Sequence, residues 1–229
     1  MAPGTAVALA AAGGTPGAAD GGRGGGDLVI VRPYRPADAA QVHAVCLATA
    51  VDSNPNGPEP ADPDLIGHVF AGPYLALEPG LAFVLADEEG VAGYVLGAAD
   101  SVDFYRRWRR DWSPRFADAT VAAGADPDTP DARLIGLLAA PERMLPTDVA
   151  DYPAHLHVDL LARARRRGHG RTLLTTLFAA LDARGAAGVH LQVSEHNPNA
   201  HAFYASLGFA ELARSDGGIT FGRRLPSAN

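Results

Sequence analysis

Arg165-Arg166-Arg167-Gly168-His169-Gly170-Arg171 lies between an alternating run at 155–161 and a run at 170–184 in which Leu173, Leu174, Leu177 and Leu181 share one helical face. A strand, a glycine-containing turn and the start of a helix therefore follow one another. The N–H groups of a first helical turn have no partner inside the helix, and the helix dipole adds partial positive charge there. Glycine in addition lets an anion's oxygen approach the backbone closely. Arg165, Arg166, Arg167 and Arg171 add charge to the same spot. The turn reads as a phosphate cradle, with an Arg-rich surface loop as the alternative. It is not a Walker loop, because no Gly-Lys-Ser/Thr follows, and the glycine triplet of a Rossmann fingerprint is incomplete.

Working outward, a strand is expected at 189–193, a helix at 199–207, and a closing hairpin at 209–225 that turns at Asp216-Gly217-Gly218. Upstream, 28–31 is a short β-branched strand, and Pro36-Ala37-Asp38 opens an amphipathic helix reaching about Ala50. Residues 51–64 form a Pro-, Asn- and Asp-rich loop, 64–70 a short helix, and 81–86 with 91–98 a hairpin joined by Asp87-Glu88-Glu89-Gly90. A helical stretch at 104–123 is broken by Pro114, a short apolar piece follows at 134–139, and loops fill the remainder. One domain at 27–229 is expected, with 103–153 as an inserted, lid-like segment. Residues 1–26, mostly Ala and Gly with a few Pro, are expected to be a disordered tail.

The formal charge of −7 argues against a broad phosphate-backbone face and for a neutral or cationic partner. Arg106, Arg107, Arg109 and Arg110 among Phe104, Tyr105 and Trp108 suggest a nucleic-acid stripe, but the flanking aspartates favour a solvated helix or acceptor-site lid. No apolar run is long enough to span a bilayer. All 19 basic residues are arginine, so a lysine side chain modified by this protein must lie on another molecule. Cys46 stands alone as a core filler, and a cytoplasmic setting is expected. Oligomeric state stays open, a homodimer included.

Asn197-Pro198-Asn199-Ala200-His201-Ala202-Phe203-Tyr204-Ala205-Ser206-Leu207-Gly208-Phe209 follows the strand after the arginine turn. Together the two segments resemble the GNAT superfamily, whose pattern is a strand, Gln/Arg-x-x-Gly-x-Gly/Ala, a helix, a strand, then Asn-x-x-Ala-x-x-hydrophobic-Tyr-x-x-x-Gly-Phe. The stretches 83–97, Trp112-Ser113-Pro114 and Tyr152-Pro153-Ala154-His155-Leu156 further resemble the acetyltransferase-like C-terminal domain of eukaryotic O-GlcNAcase and its free-standing bacterial relatives. The eukaryotic domains are regarded as having a degraded cofactor loop, which this sequence keeps intact.

The resemblance implies an α/β fold with a mixed twisted sheet, acetyl-CoA as cosubstrate, no metal, and direct transfer of acetyl to an amine. Leu160, Leu161 and Ala162 would offer backbone groups to the pantetheine arm and the oxyanion. Arg165, Arg166, Arg167, Gly168, His169, Gly170 and Arg171 would surround the pyrophosphate, with Asn197 at the cofactor arm. Tyr204 would be the general acid, with a core aromatic as its structural alternative. The family's strand glutamate is replaced by Ala154, so the base must come from elsewhere. Asp159 is the first choice, ahead of His157, His155 and Asp100, and a salt bridge to arginine is the alternative role for Asp159. Asp100 and Trp112 are placed at the acceptor. Two rival readings remain. One is an acetyl-CoA-binding module without turnover. The other is a metal-dependent hydrolase built on His155, His157 and Asp159, which wants a further His where Leu160 stands.

Overall fold

The computed structural model describes residues 29–53, 57–119, 128–215 and 218–226. The expected tail at 1–26 and the hairpin tip at 216–217 lie outside them. Seven strands form one mixed sheet in the order β1-β2-β3-β4-β5-β7-β6. These are β1 (Ile30–Pro33), β2 (Ala82–Asp87), β3 (Gly90–Ala98), β4 (Ala154–Leu160), β5 (Gly188–Ser194), β6 (Ala210–Ser215) and β7 (Gly218–Arg224). Neighbours run antiparallel except β4 and β5, which are parallel because the chain crosses over through α6 (His169–Asp182).

Alternation along β3 and β4 sorts side chains to two faces. Leu156, Val158 and Leu160 join Val95 in a core beneath α6, whose Leu173, Leu174, Leu177 and Leu181 are all fully buried. Gly97 is small for a reason: a Cβ there would sit 2.7 Å from Leu177 Cδ1. The helix α7 (Pro198–Ala205) adds Ala200 and Tyr204 to the same core. Tyr94, Leu96 and Ala98 face the other way, into a core built with α1 (Ala39–Ser53), α2 (Asp64–Phe70), α3 (Gly72–Leu77), α4 (Ser101–Asp111) and α5 (Pro130–Ala139).

The segment read as an inserted lid supplies much of that second core. Phe104 and Trp108 of α4 and Leu138 of α5 are fully buried in it, and Asp131 of α5 accepts the N–H groups of Ala61 and Asp62 in the α1–α2 connection. The charged side of α4 is solvated and self-paired, Asp103 with both Arg106 and Arg107, and Arg107 also with Glu78. This arrangement fits the helix reading of that arginine-rich stretch. Among the described residues no helix is long and apolar enough to cross a membrane.

Trp108→Ala should therefore destabilise the protein by about 3–5 kcal/mol in urea denaturation, the cost of emptying a large, fully buried aromatic site. A loss below about 1 kcal/mol would mean that α4 is a detachable lid rather than core.

Candidate active site

The site begins with an interruption in the sheet. β4 pairs with β3 from His155 to Leu160, and β5 pairs with β7 along its whole length. Between β4 and β5, only Ala154↔Val189 and His155↔His190 pair. Beyond these the strands part. Leu161 N–H donates to Ala92 O at 2.8 Å, so alternation turns the backbone groups of Asp159 and His157 toward β3 and those of Val158 and Leu160 into the gap. These edge groups are the polar surface offered to an extended ligand.

The residues expected to offer backbone groups differ in orientation. Leu160 faces the gap, although its carbonyl already accepts Arg165 Nε at 2.8 Å. Leu161 points away from it, and Ala162 opens a 3-10 turn whose carbonyl accepts Arg165 N–H. Val158, which the motif does not single out, faces the gap as Leu160 does.

At the mouth of the gap lies the glycine turn. Gly168 precedes α6 with φ +84°, a left-handed conformation that favours glycine, and nothing lies within 4 Å of where its Cβ would be. The space above it is open. Arg171 and Thr172 donate to Gly168 O, leaving the N–H groups of Arg167 to Gly170 unpaired among the described residues. Gly170 is small for packing instead, its Cβ position lying 3.2 Å from Phe203. The arginines divide by role. Arg165 is tied to Asp52, Arg163 to Asp87, and Arg171 reaches Ser206 at 3.2 Å. Arg166 adopts φ 60°, and Arg167 is exposed beside His169 in a recess of about 230 Å³ that Asp87 and Glu89 also line. An open, positively charged helix start beside a strand gap fits the phosphates and extended arm of a coenzyme A thioester.

Asn197 caps α7, its Oδ1 accepting Ala200 N–H at 3.0 Å while its two amide protons stay available. Tyr204 projects from α7 against Phe209 and Phe221, and its hydroxyl bonds to no described residue. Burial first, and then the nearby Asp159 charge, push its pKa above the ordinary phenol value.

Asp159 belongs to the polar face of β4 with His155 and His157, as the alternation implied. Tyr94 O–H donates to its Oδ2 at 2.5 Å, whereas Oδ1 has no hydrogen-bond partner. The Thr49 hydroxyl beside it spends its proton on the carbonyls of Val45 and Cys46. No ion pair among the described residues includes Asp159, so the salt-bridge alternative is not realised. Burial raises its pKa to about 6, against the lowering effects of Tyr94, Thr49 and Arg165. The carboxylate is only 1% exposed, however, which keeps it from touching an acceptor without movement.

Two expected acceptor residues are not brought to the gap. Asp100 is exposed and caps α4 through Asp103 N–H, just past the end of β3 that pairs with His155, where the sheet is still closed. Trp112 is packed over Gly72, with its Nε1 donating to His68 O at 3.0 Å. His155 and His157 both bond Tyr74, and among the described residues no group of three or more His, Cys, Asp or Glu is arranged to hold a metal ion.

The model of the acetyltransferase (GNAT) family matches residues 52–209. The chain belongs to that family. The solved structure of SsHAT superposes on this GNAT chain with a TM-score of 0.80 and 44% identity, covering 86% of this chain and 98% of that one. Protein O-GlcNAcase of mouse and of rat are each 30% identical over 192 residues, 83% of this chain but 21% of theirs. The chain thus spans about a fifth of the length of those curated relatives. PaiA N-acetyltransferase from Thermoplasma acidophilum, solved with coenzyme A, is similar in fold alone, with a TM-score of 0.55 at 11% identity over 86% of this chain and 98% of that one.

The sealed carboxylate has a measurable signature. A folded pKa above the unfolded value means that Asp159 favours the folded state below about pH 4 and loses that contribution as pH rises through about 6, on the order of 3 kcal/mol in all. Asp159→Asn, which still accepts from Tyr94, should therefore gain stability over the parent between pH 4 and pH 8, measured by urea denaturation at both pH values. An equal difference at the two pH values would place the carboxylate in solvent.

Proposed function

We propose that this GNAT chain is an acetyl-CoA-dependent N-acetyltransferase that moves acetyl to a primary amine by direct attack. The parting of β4 from β5 beside the open glycine turn carries this reading. The exposed N–H groups from Arg167 to Gly170, with the exposed Arg167, hold the pyrophosphate. Val158 and Leu160 present backbone groups to the pantetheine amides, and Asn197 adds side-chain donors on the β5 side. Acetyl-CoA supplies the thioester whose carbonyl the amine attacks. Backbone N–H groups on the gap side of β4 meet the charge that develops on the carbonyl oxygen.

Tyr204 gives its proton to the departing thiolate. A phenol held protonated by burial and by the Asp159 charge is an acid across the physiological range. Asp159 thereby acts through Tyr204 and Tyr94 rather than by touching the amine. A binding module without turnover is the second reading, favoured by this sealing of the carboxylate nearest the gap. It gives the same affinity for the coenzyme with no transfer to any amine.

Calorimetric titration with acetyl-CoA tests the cradle. Gly168→Asp is the sharper variant: its side chain enters open space, and the backbone strain that φ +84° imposes on any non-glycine residue is read separately from the urea stability of the unliganded variant. Micromolar binding by the parent, weakened at least tenfold in the variant with the fold intact by circular dichroism, is expected. Equal affinity in the two proteins would remove the phosphates from this turn, and absence of binding by the parent would remove the acetyltransferase reading.

A further inference from the structure

The amine's proton needs an acceptor, and four residues were candidates. Asp100 caps a helix at the closed end of the sheet, and Asp159 is sealed. His155 is 4% exposed and uses both ring nitrogens, Nε2 with Tyr74 Oη at 2.8 Å and Nδ1 with Ser101 Oγ at 2.7 Å. His157 is half-buried, two residues past the last β4–β5 pair, and it meets Tyr74 Oη through Nε2 at 3.0 Å. Its Nδ1 bonds to no described residue.

The protons in this chain can be assigned from one end. Ser101 Oγ lies 2.7 Å from Pro153 O, a carbonyl with no proton to give, so the serine hydroxyl donates to it. Ser101 Oγ must then accept from His155, which places the His155 proton on Nδ1 and leaves a lone pair on Nε2. Tyr74 O–H fills that lone pair. With its single proton spent, Tyr74 Oη can only accept from His157, which fixes the His157 proton on Nε2. The remaining lone pair of His157, on Nδ1, is left on the partly exposed ring.

Resting on the acetyltransferase reading above, we infer that His157 Nδ1 is the base that takes the proton from the acceptor amine, and that Tyr74, His155 and Ser101 are positioning residues that hold its tautomer. The amine lone pair forms the C–N bond as the C–S bond breaks, and its electron pair leaves on sulfur, which takes the Tyr204 proton. The nitrogen, positively charged as the C–N bond forms, is far more acidic than a free ammonium and gives its extra proton to His157 Nδ1. The imidazolium then releases that proton to solvent, and Tyr204 regains one. Desolvation keeps His157 neutral, with a pKa lowered to about 4, so the lone pair is present throughout the physiological range.

Two arms test this. The first is nitrogen-15 NMR of the histidine-labelled parent between pH 6 and pH 8, where His157 should appear protonated at Nε2 and bare at Nδ1. Tyr74→Phe should release that preference. A proton on Nδ1 in the parent would overturn the assignment whether or not any amine is acetylated. The second uses acetyl-CoA with 1-aminobutane as acceptor. His157→Gln, whose amide still donates to Tyr74 but whose oxygen is too weakly basic to take the amine's proton, should lower kcat by about a hundredfold with the KM for acetyl-CoA unchanged. Undiminished kcat in His157→Gln would overturn the role as base. A parent that binds acetyl-CoA but transfers nothing counts against the transferase reading, and against the base with it, while the NMR arm still decides the tautomer chain.

Discussion

Two residue pairs hold β4 to β5, and the rest of the molecule is arranged around their ending there. A parallel ladder continued past His155 and His190 would close the sheet and consume the backbone groups of Val158 and Leu160. Both strands are fixed on their outer sides, β4 by β3 and β5 by β7, so the gap is held open from both flanks. The two apolar cores stabilise these halves. One lies under α6 and α7, and the other under the helices that the 103–153 segment completes. The crossover helix starts at the mouth of the gap, bringing the dipole, the open glycine turn and the arginines to one place.

Electrostatics on the polar face of β4 follow from depth. Asp159, His155 and His157 share a face, and burial drives each toward its neutral form: the carboxyl upward, the imidazoles downward. What separates them is access and partners. Asp159 lies beneath α1 against Tyr94, Thr49 and Cys46, His155 is closed into a serine–tyrosine chain, and His157 keeps one open nitrogen. One strand thus carries a sealed charge that influences Tyr204 and an open base, two residues apart.

The motif-bearing parts of this architecture were legible in the sequence. The R-x-x-G-x-G turn, the leucines of α6 and the Asn-to-Phe segment placed the crossover through α6 and the glycine turn that opens it, because each depends on local spacing. The helix Gly72–Leu77 carries no legible signal in the sequence, since it is short and is opened by Gly72-Pro73, although proline is well suited to open a helix. The helix Pro130–Ala139 was seen only from Leu134, because its start depends on the Thr129 side chain accepting Ala132 N–H. The misplaced contacts were those set by tertiary packing: Trp112 meets Gly72 and His68, and Tyr74 finds its histidines more than 80 residues away. The side on which a strand's N–H groups lie depends on register, which is why Leu161 was expected in the gap and Val158 was not.

Amide hydrogen exchange along β4, read residue by residue with and without coenzyme A, addresses the gap most directly. The account predicts that the Val158 and Leu160 amides exchange much faster than those of His157 and Asp159 in the free protein and become protected when coenzyme A is added. Equal protection of all four amides in the free protein would mean that β4 and β5 are closed against each other, and would contradict the account.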